Sequence, residues 1–131
     1  NMKKSIVTLM FVLTIAVLSA SAQTKYCFEN EGLKATTGIL FRVSGNKITE
    51  GEFTTSVYDE TASPVKSSFT GKKVGKILTI KFAGKAPDEF MKIKTIKWTM
   101  GKTLKVQMYG KNYTTNKWSV YSATFTGCDI N

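Results

Sequence analysis

Between residues 26 and 126, short runs in which apolar side chains recur at every second position, a period that suits half-buried strands and no helix, are separated by residues that favour turns. Residues 77–82 show it best: Leu78, Ile80 and Phe82 alternate with Thr79 and Lys81. Ile96, Trp98 and Met100 share a face opposite Lys97 and Thr99, and Leu104, Val106 and Met108 alternate with Lys105 and Gln107. The same pattern predicts strands over residues 26–29, 35–43, 48–58, 65–70, 77–82, 92–100, 103–109 and 117–126. Between them stand turn signals. Ser44-Gly45-Asn46-Lys47 holds residues that tolerate positive φ, residues 71–76 form a lysine-rich turn, and Gly101-Lys102 and residues 114–116 follow. Residues 59–64, ending in Pro64, and residues 84–90, containing Pro87, read as loops.

About eight strands with short connections imply an all-β, up-and-down antiparallel meander. Curling that meander into a small barrel buries its apolar face and removes the exposed edges. A two-sheet sandwich is the alternative. Two cysteines, Cys27 near the first strand and Cys128 after the last, allow a single intramolecular pairing. A terminal disulfide across the closing seam fits the barrel, and the chain-entropy model values so long a loop at about 4 to 5 kcal/mol.

The first 22 residues stand apart. Asn1 reads as a cloning remnant ahead of Met2; Lys3 and Lys4 then precede an uncharged run over residues 6–18, and Ala20-Ser21-Ala22 is a small-x-small cleavage pattern. The apolar run is shorter than the roughly 18 to 20 residues that span a bilayer. A cleavable signal peptide is expected over residues 2–22 and a single domain over residues 23–131, exported to the periplasm or beyond, with no membrane-spanning segment after cleavage.

The expected domain keeps 17 of the 19 basic residues and all nine acids, a net charge of +8. Arg42 is its one arginine. Lysine suits diffuse attraction better than bidentate recognition of phosphate or carboxylate. No histidine is present, and a disulfide leaves no free thiol, so the commonest general base and the commonest strong nucleophile are missing. No catalytic residue, metal site or cofactor is expected. Glu50 and Glu52 lie two apart on one strand; they read as solvent-facing strand residues, with paired carboxylates the weaker alternative.

The aromatic residues offer more. Tyr109, Tyr113, Trp118 and Tyr121 fall within thirteen residues around the last turn, and Trp98 precedes them. Tyrosine and tryptophan present an apolar face and a polar tip, which suits sugar rings, head groups or a protein partner; packing within the barrel is the competing role. These five residues are the candidate ligand-binding set.

In architecture the chain resembles the calycin-like small barrels, lipocalins and avidins among them, with Lys25-Tyr26-Cys27-Phe28 standing where lipocalins carry glycine-x-tryptophan. It is also similar, in size, in the Tyr26-Cys27 start and in the late Cys128, to periplasmic inhibitors of C-type lysozyme. The chain is expected to be a non-catalytic, monomeric binding protein of the cell envelope. Its ligand would be a small apolar molecule or a glycan at the barrel mouth or interior. Alternatively, the lysine-rich outer face meets anionic polysaccharide, lipid head groups or an acidic protein. Nucleic acid is not an expected partner, because the aromatics do not interleave with arginine.

Overall fold

The structure, a computed structural model, describes residues 22–112 and 114–129. All of the expected signal segment except Ala22 lies outside the described residues, as does Tyr113. Eight strands run in order: β1 (Thr24–Glu31), β2 (Ala35–Ser44), β3 (Lys47–Val57), β4 (Val65–Val74), β5 (Ile77–Phe82), β6 (Ile96–Met100), β7 (Leu104–Asn112) and β8 (Lys117–Gly127). Each pairs antiparallel with the next, and β8 returns to β1. The meander is a closed barrel, and the sandwich is excluded.

The inward positions follow the alternation of the sequence. Sixteen apolar side chains of the described residues are buried, none of them with a polar or charged companion at that depth. Their rings run through the interior as one connected stack. Tyr26 and Phe28 meet Phe41, Phe41 meets Phe69, and Phe69 meets both Phe82 and Trp98 at centroid distances of 5.6 and 5.3 Å. Edge-to-face rings at such distances add about 0.5 to 1.5 kcal/mol beyond their area. An eight-stranded barrel is just wide enough to be filled by its own side chains, and here they occupy it.

Ile48 and Phe53 both point inward although they are five positions apart, an odd spacing that strict alternation forbids. An extra residue in β3 resolves the conflict. The β3 register slips against β4 between Ile48 and Gly51, and Glu50 takes φ +50°. This is a β-bulge, which bends the strand and re-aims its side chains.

Two boundaries differ from the sequence reading. The turn expected over residues 71–76 starts late: β4 continues to Val74, and Gly75, at φ +60°, makes the turn. Gly71 sits inside the strand because a Cβ there would lie 2.2 Å from the Thr79 carbonyl oxygen. It permits a close approach of β4 to β5. The strand expected from residue 92 begins at Ile96, and the loop expected over residues 84–90 runs into a short helix, α1 (Asp88–Met91). Pro87 cannot donate to a sheet ladder, and Asp88 and Glu89 suit a helix's first turn. The helix drops Phe90 onto Phe53 and Phe82, with centroids 5.1 and 5.4 Å away, and so stoppers one end of the barrel.

Closure between β8 and β1 is brief. Phe28 faces Gly127 and Glu29 faces Thr126, after which the Cys128 amide donates to the Cys27 carbonyl at 2.9 Å. The Cys27–Cys128 disulfide, with Cα atoms 5.1 Å apart, pins the same rung. By contrast β7 and β8 pair along their whole length, from Leu104 opposite Phe125 to Asn112 opposite Lys117. Since β6 meets β7 only at residues 104–106, the last hairpin extends past both neighbouring strands as an arm. Among the described residues no helix is long and apolar enough to cross a membrane.

Candidate functional site

The arm carries most of the aromatic residues singled out above. Tyr109 and Trp118 stack on its outer face, centroids 5.6 Å apart and planes 24° from parallel. Val120, directly opposite Tyr109, and Lys111, directly opposite Trp118, complete that face. Trp118 is 60% exposed. Tyr121 belongs to the arm's other face, where its hydroxyl donates to the Met108 sulfur at 3.6 Å. Trp98 joins neither. It has no exposed surface, packs against Phe69 and Phe90 in the core, and its indole N–H finds no acceptor among the described residues. Its period-2 alternation with Ile96 and Met100 put it on the core face from the start. Of the five candidates, Tyr109 and Trp118 form a shared surface.

Pairing the strands reveals a second feature. Strands β4 to β8 contain eight lysines and no acid, whereas the four acids that lie on strands are all on β1 and β3. Six of those lysines, Lys66, Lys72, Lys81, Lys97, Lys105 and Lys111, stand an odd number of positions from the buried residues of their strands (Phe69, Ile80, Trp98 and Met108 among them) and therefore point outward. Among the described residues the ion pairs are Arg42–Glu50, and Lys66–Glu52 at 3.6 Å. Both lie at the β2–β4 side, so the rest of the wall keeps its positive field. The two carboxylates read as a possible pair are thus engaged separately. The β3 bulge turns Glu50 to Arg42, while Glu52 takes Lys66 and the Thr54 hydroxyl.

Concavities adjoin these surfaces, and two of them bear on the site. A groove of about 640 Å3 on the outer wall of β3, β4 and β5 is lined by Lys47, Lys72 and Lys81 around Thr70 and Thr79, with Asn46 at one end. A smaller pocket of about 360 Å3 opens at the α1 end between Phe53, Thr55, Val65 and the residues from Lys85 to Glu89. Near that end, Asp59 accepts from the Thr61 hydroxyl at 2.7 Å and the Thr61 amide at 3.0 Å. These bonds hold the Asp59 carboxyl below its ordinary range.

The net charge of the expected domain does not say how its lysines are placed. Their segregation follows from adding charges strand by strand, since residues 61–128 hold only Asp88 and Glu89 as acids, both in α1. Among the described residues no group of three or more histidine, cysteine or acidic side chains converges to hold a metal. Comparison with protein-family models, with curated proteins and with solved structures gave no match.

Proposed function

We propose that this barrel is an exported, non-catalytic binding module that holds an anionic polysaccharide of the cell envelope against the outer wall of β4 to β8. The observation that carries the reading is the acid-free wall: eight lysines on five consecutive strands, with no carboxylate among them. A surface of one sign draws a polyanion by its summed field, and it does so without arginine's bidentate geometry. The Tyr109–Trp118 stack lies on the same outer face and offers an apolar plane for a sugar ring. The filled interior favours a ligand taken from outside. The Cys27–Cys128 disulfide is compatible with export, which agrees with the signal-like start.

The test is a binding measurement on the oxidised protein with heparin and polygalacturonate as acidic probes and dextran as the neutral one. Acidic polymers should bind and dextran should not. Affinity should fall steeply with salt, because exposed charges more than about 10 Å apart are largely screened near 0.1 M. Binding that is indifferent to salt and equal for dextran would end this reading.

A second reading rests on the pocket of about 360 Å3 beside α1, where Phe53 and Val65 supply apolar surface and Lys85 and Asp88 polar groups. It would suit a small ligand at the barrel mouth, and its binding would be insensitive to salt.

A further inference from the structure

Strand register places Lys47 of β3 directly opposite Lys72 of β4. Both point outward, since Ile48 and Gly71 beside them face inward. Two like charges in direct cross-strand register are destabilising, by a few tenths of a kcal/mol to about 1 kcal/mol relative to neutral pairs. Such a pair is ordinarily relieved by an acid on the same face. Here the nearest candidates are engaged elsewhere: Glu50 is swung to Arg42 by the bulge, and Glu52 is taken by Lys66. The same row continues across the wall. Lys72 faces Thr79, Thr79 faces Lys97, and on the parallel row Thr70 faces Lys81.

We infer that the groove over Thr70 and Thr79 seats an acidic group of the bound polymer, and that the polymer crosses the strands along the Lys47–Lys72–Lys97 row. This rests on the anionic-polymer reading above and adds the seat and the direction. The groove is rich in donors: three ammonium groups, two hydroxyls and the Asn46 amide, with no carboxylate among its lining residues. A carboxylate or sulfate placed between Lys47 and Lys72 converts their repulsion into two charge-assisted contacts.

Spacing sets the direction. Neighbouring strands lie about 4.8 Å apart, so the row presents charges at steps of about 5 and about 10 Å. Along a single strand the outward lysines are farther apart. Lys66 and Lys72 on β4, and Lys105 and Lys111 on β7, are each six residues apart, which is about 20 Å in an extended chain. A linear polyanion with acidic groups recurring at about 5 to 10 Å matches the path across the strands and not the path along them.

The experiment compares two variants that each remove two exposed lysines, Lys47→Gln/Lys72→Gln at the seat and Lys92→Gln/Lys94→Gln in the segment between α1 and β6, using polygalacturonate as the probe. The first should lose affinity by about tenfold or more, the scale of one or two charge-assisted contacts, and the second by no more than about threefold. The first should also melt at the same temperature as the native protein or above it, because it removes a like-charge pair. Equal losses in the two variants would show a diffuse field with no seat, overturning this inference and leaving the anionic reading intact. A lower melting temperature for the first variant would overturn the like-charge argument. If neither polygalacturonate nor heparin binds the native protein, the reading beneath it falls as well.

Discussion

Tyr109 and Trp118 stand on adjacent strands two residues out of register, yet their rings stack 5.6 Å apart on the outside of the last hairpin. The contact is diagonal, the kind that long aromatic side chains reach across a pleated sheet. It places a flat apolar surface beside Lys111, which faces Trp118 across the hairpin. Replacing Trp118 with alanine should leave folding intact, since the side chain is 60% exposed, and should weaken polygalacturonate binding. A loss of about 1 kcal/mol, near fivefold, is the scale of one stacked ring. Unchanged affinity, measured by calorimetry, would remove the stack from the site.

The two tryptophans provide an optical check on their environments. Trp98 is fully buried and Trp118 is open to water. Acrylamide should quench a red-shifted Trp118 component and spare a blue-shifted one from Trp98. The Trp118→Phe variant should then show only the blue, protected emission. If that remaining emission is quenched as easily as in the native protein, the core is not closed around Trp98.

Phe90 is the stopper of the barrel, 1% exposed on a helix of four residues. Phe90→Ala should cost about 3 to 5 kcal/mol by urea denaturation, the usual range for a large core ring. A cost below about 1 kcal/mol would mean that the α1 segment lies loosely over the barrel end, as surface substitutions do.

The strand alternation made most of this fold legible in advance. Leu78, Ile80 and Phe82 are buried as the period requires, and Thr79 and Lys81 are not. Where the sequence misled, a local cue had more than one meaning. Gly71 among lysines looks like a turn, but the strand needs a residue without a Cβ against the Thr79 carbonyl. A strand is expected from residue 92, yet Pro87 and the acids after it start a helical turn, and β6 begins only at Ile96. The candidate surface was half legible. Clustering along the chain picked out Tyr109 and Trp118, whereas the facing of Lys47 and Lys72 depends on register and on a bulge at Glu50, which no local pattern announced.

Gly71 itself can be tested. Gly71→Val forces a Cβ and two methyls into the space held by the Thr79 carbonyl, so β4 and β5 must separate. Destabilisation of about 1 to 3 kcal/mol is expected, the range for overpacking. Thermal melting at neutral pH would measure it, and an unchanged melting temperature would contradict the close approach.

Asp59 should titrate below the ordinary range of aspartate, because the Thr61 hydroxyl and amide both donate to its charged form. A depressed folded-state value contributes stability above the unfolded value, and that contribution is lost as pH falls through the folded one. Carboxyl-carbon NMR titration should show the low midpoint, and Thr61→Ala should raise it toward the ordinary value. A midpoint indifferent to that substitution would mean the turn does not persist in solution.

The disulfide joins residues separated by 101 positions, so nearly the whole domain is a covalent ring. A protease meeting the exposed loop between β3 and β4 would open that ring without releasing a piece. Clipped once, the molecule would still travel as one species under oxidising conditions and part into two only when reduced. In a setting rich in proteases, a first cut would leave every strand attached to the rest, and the halves free to stay paired.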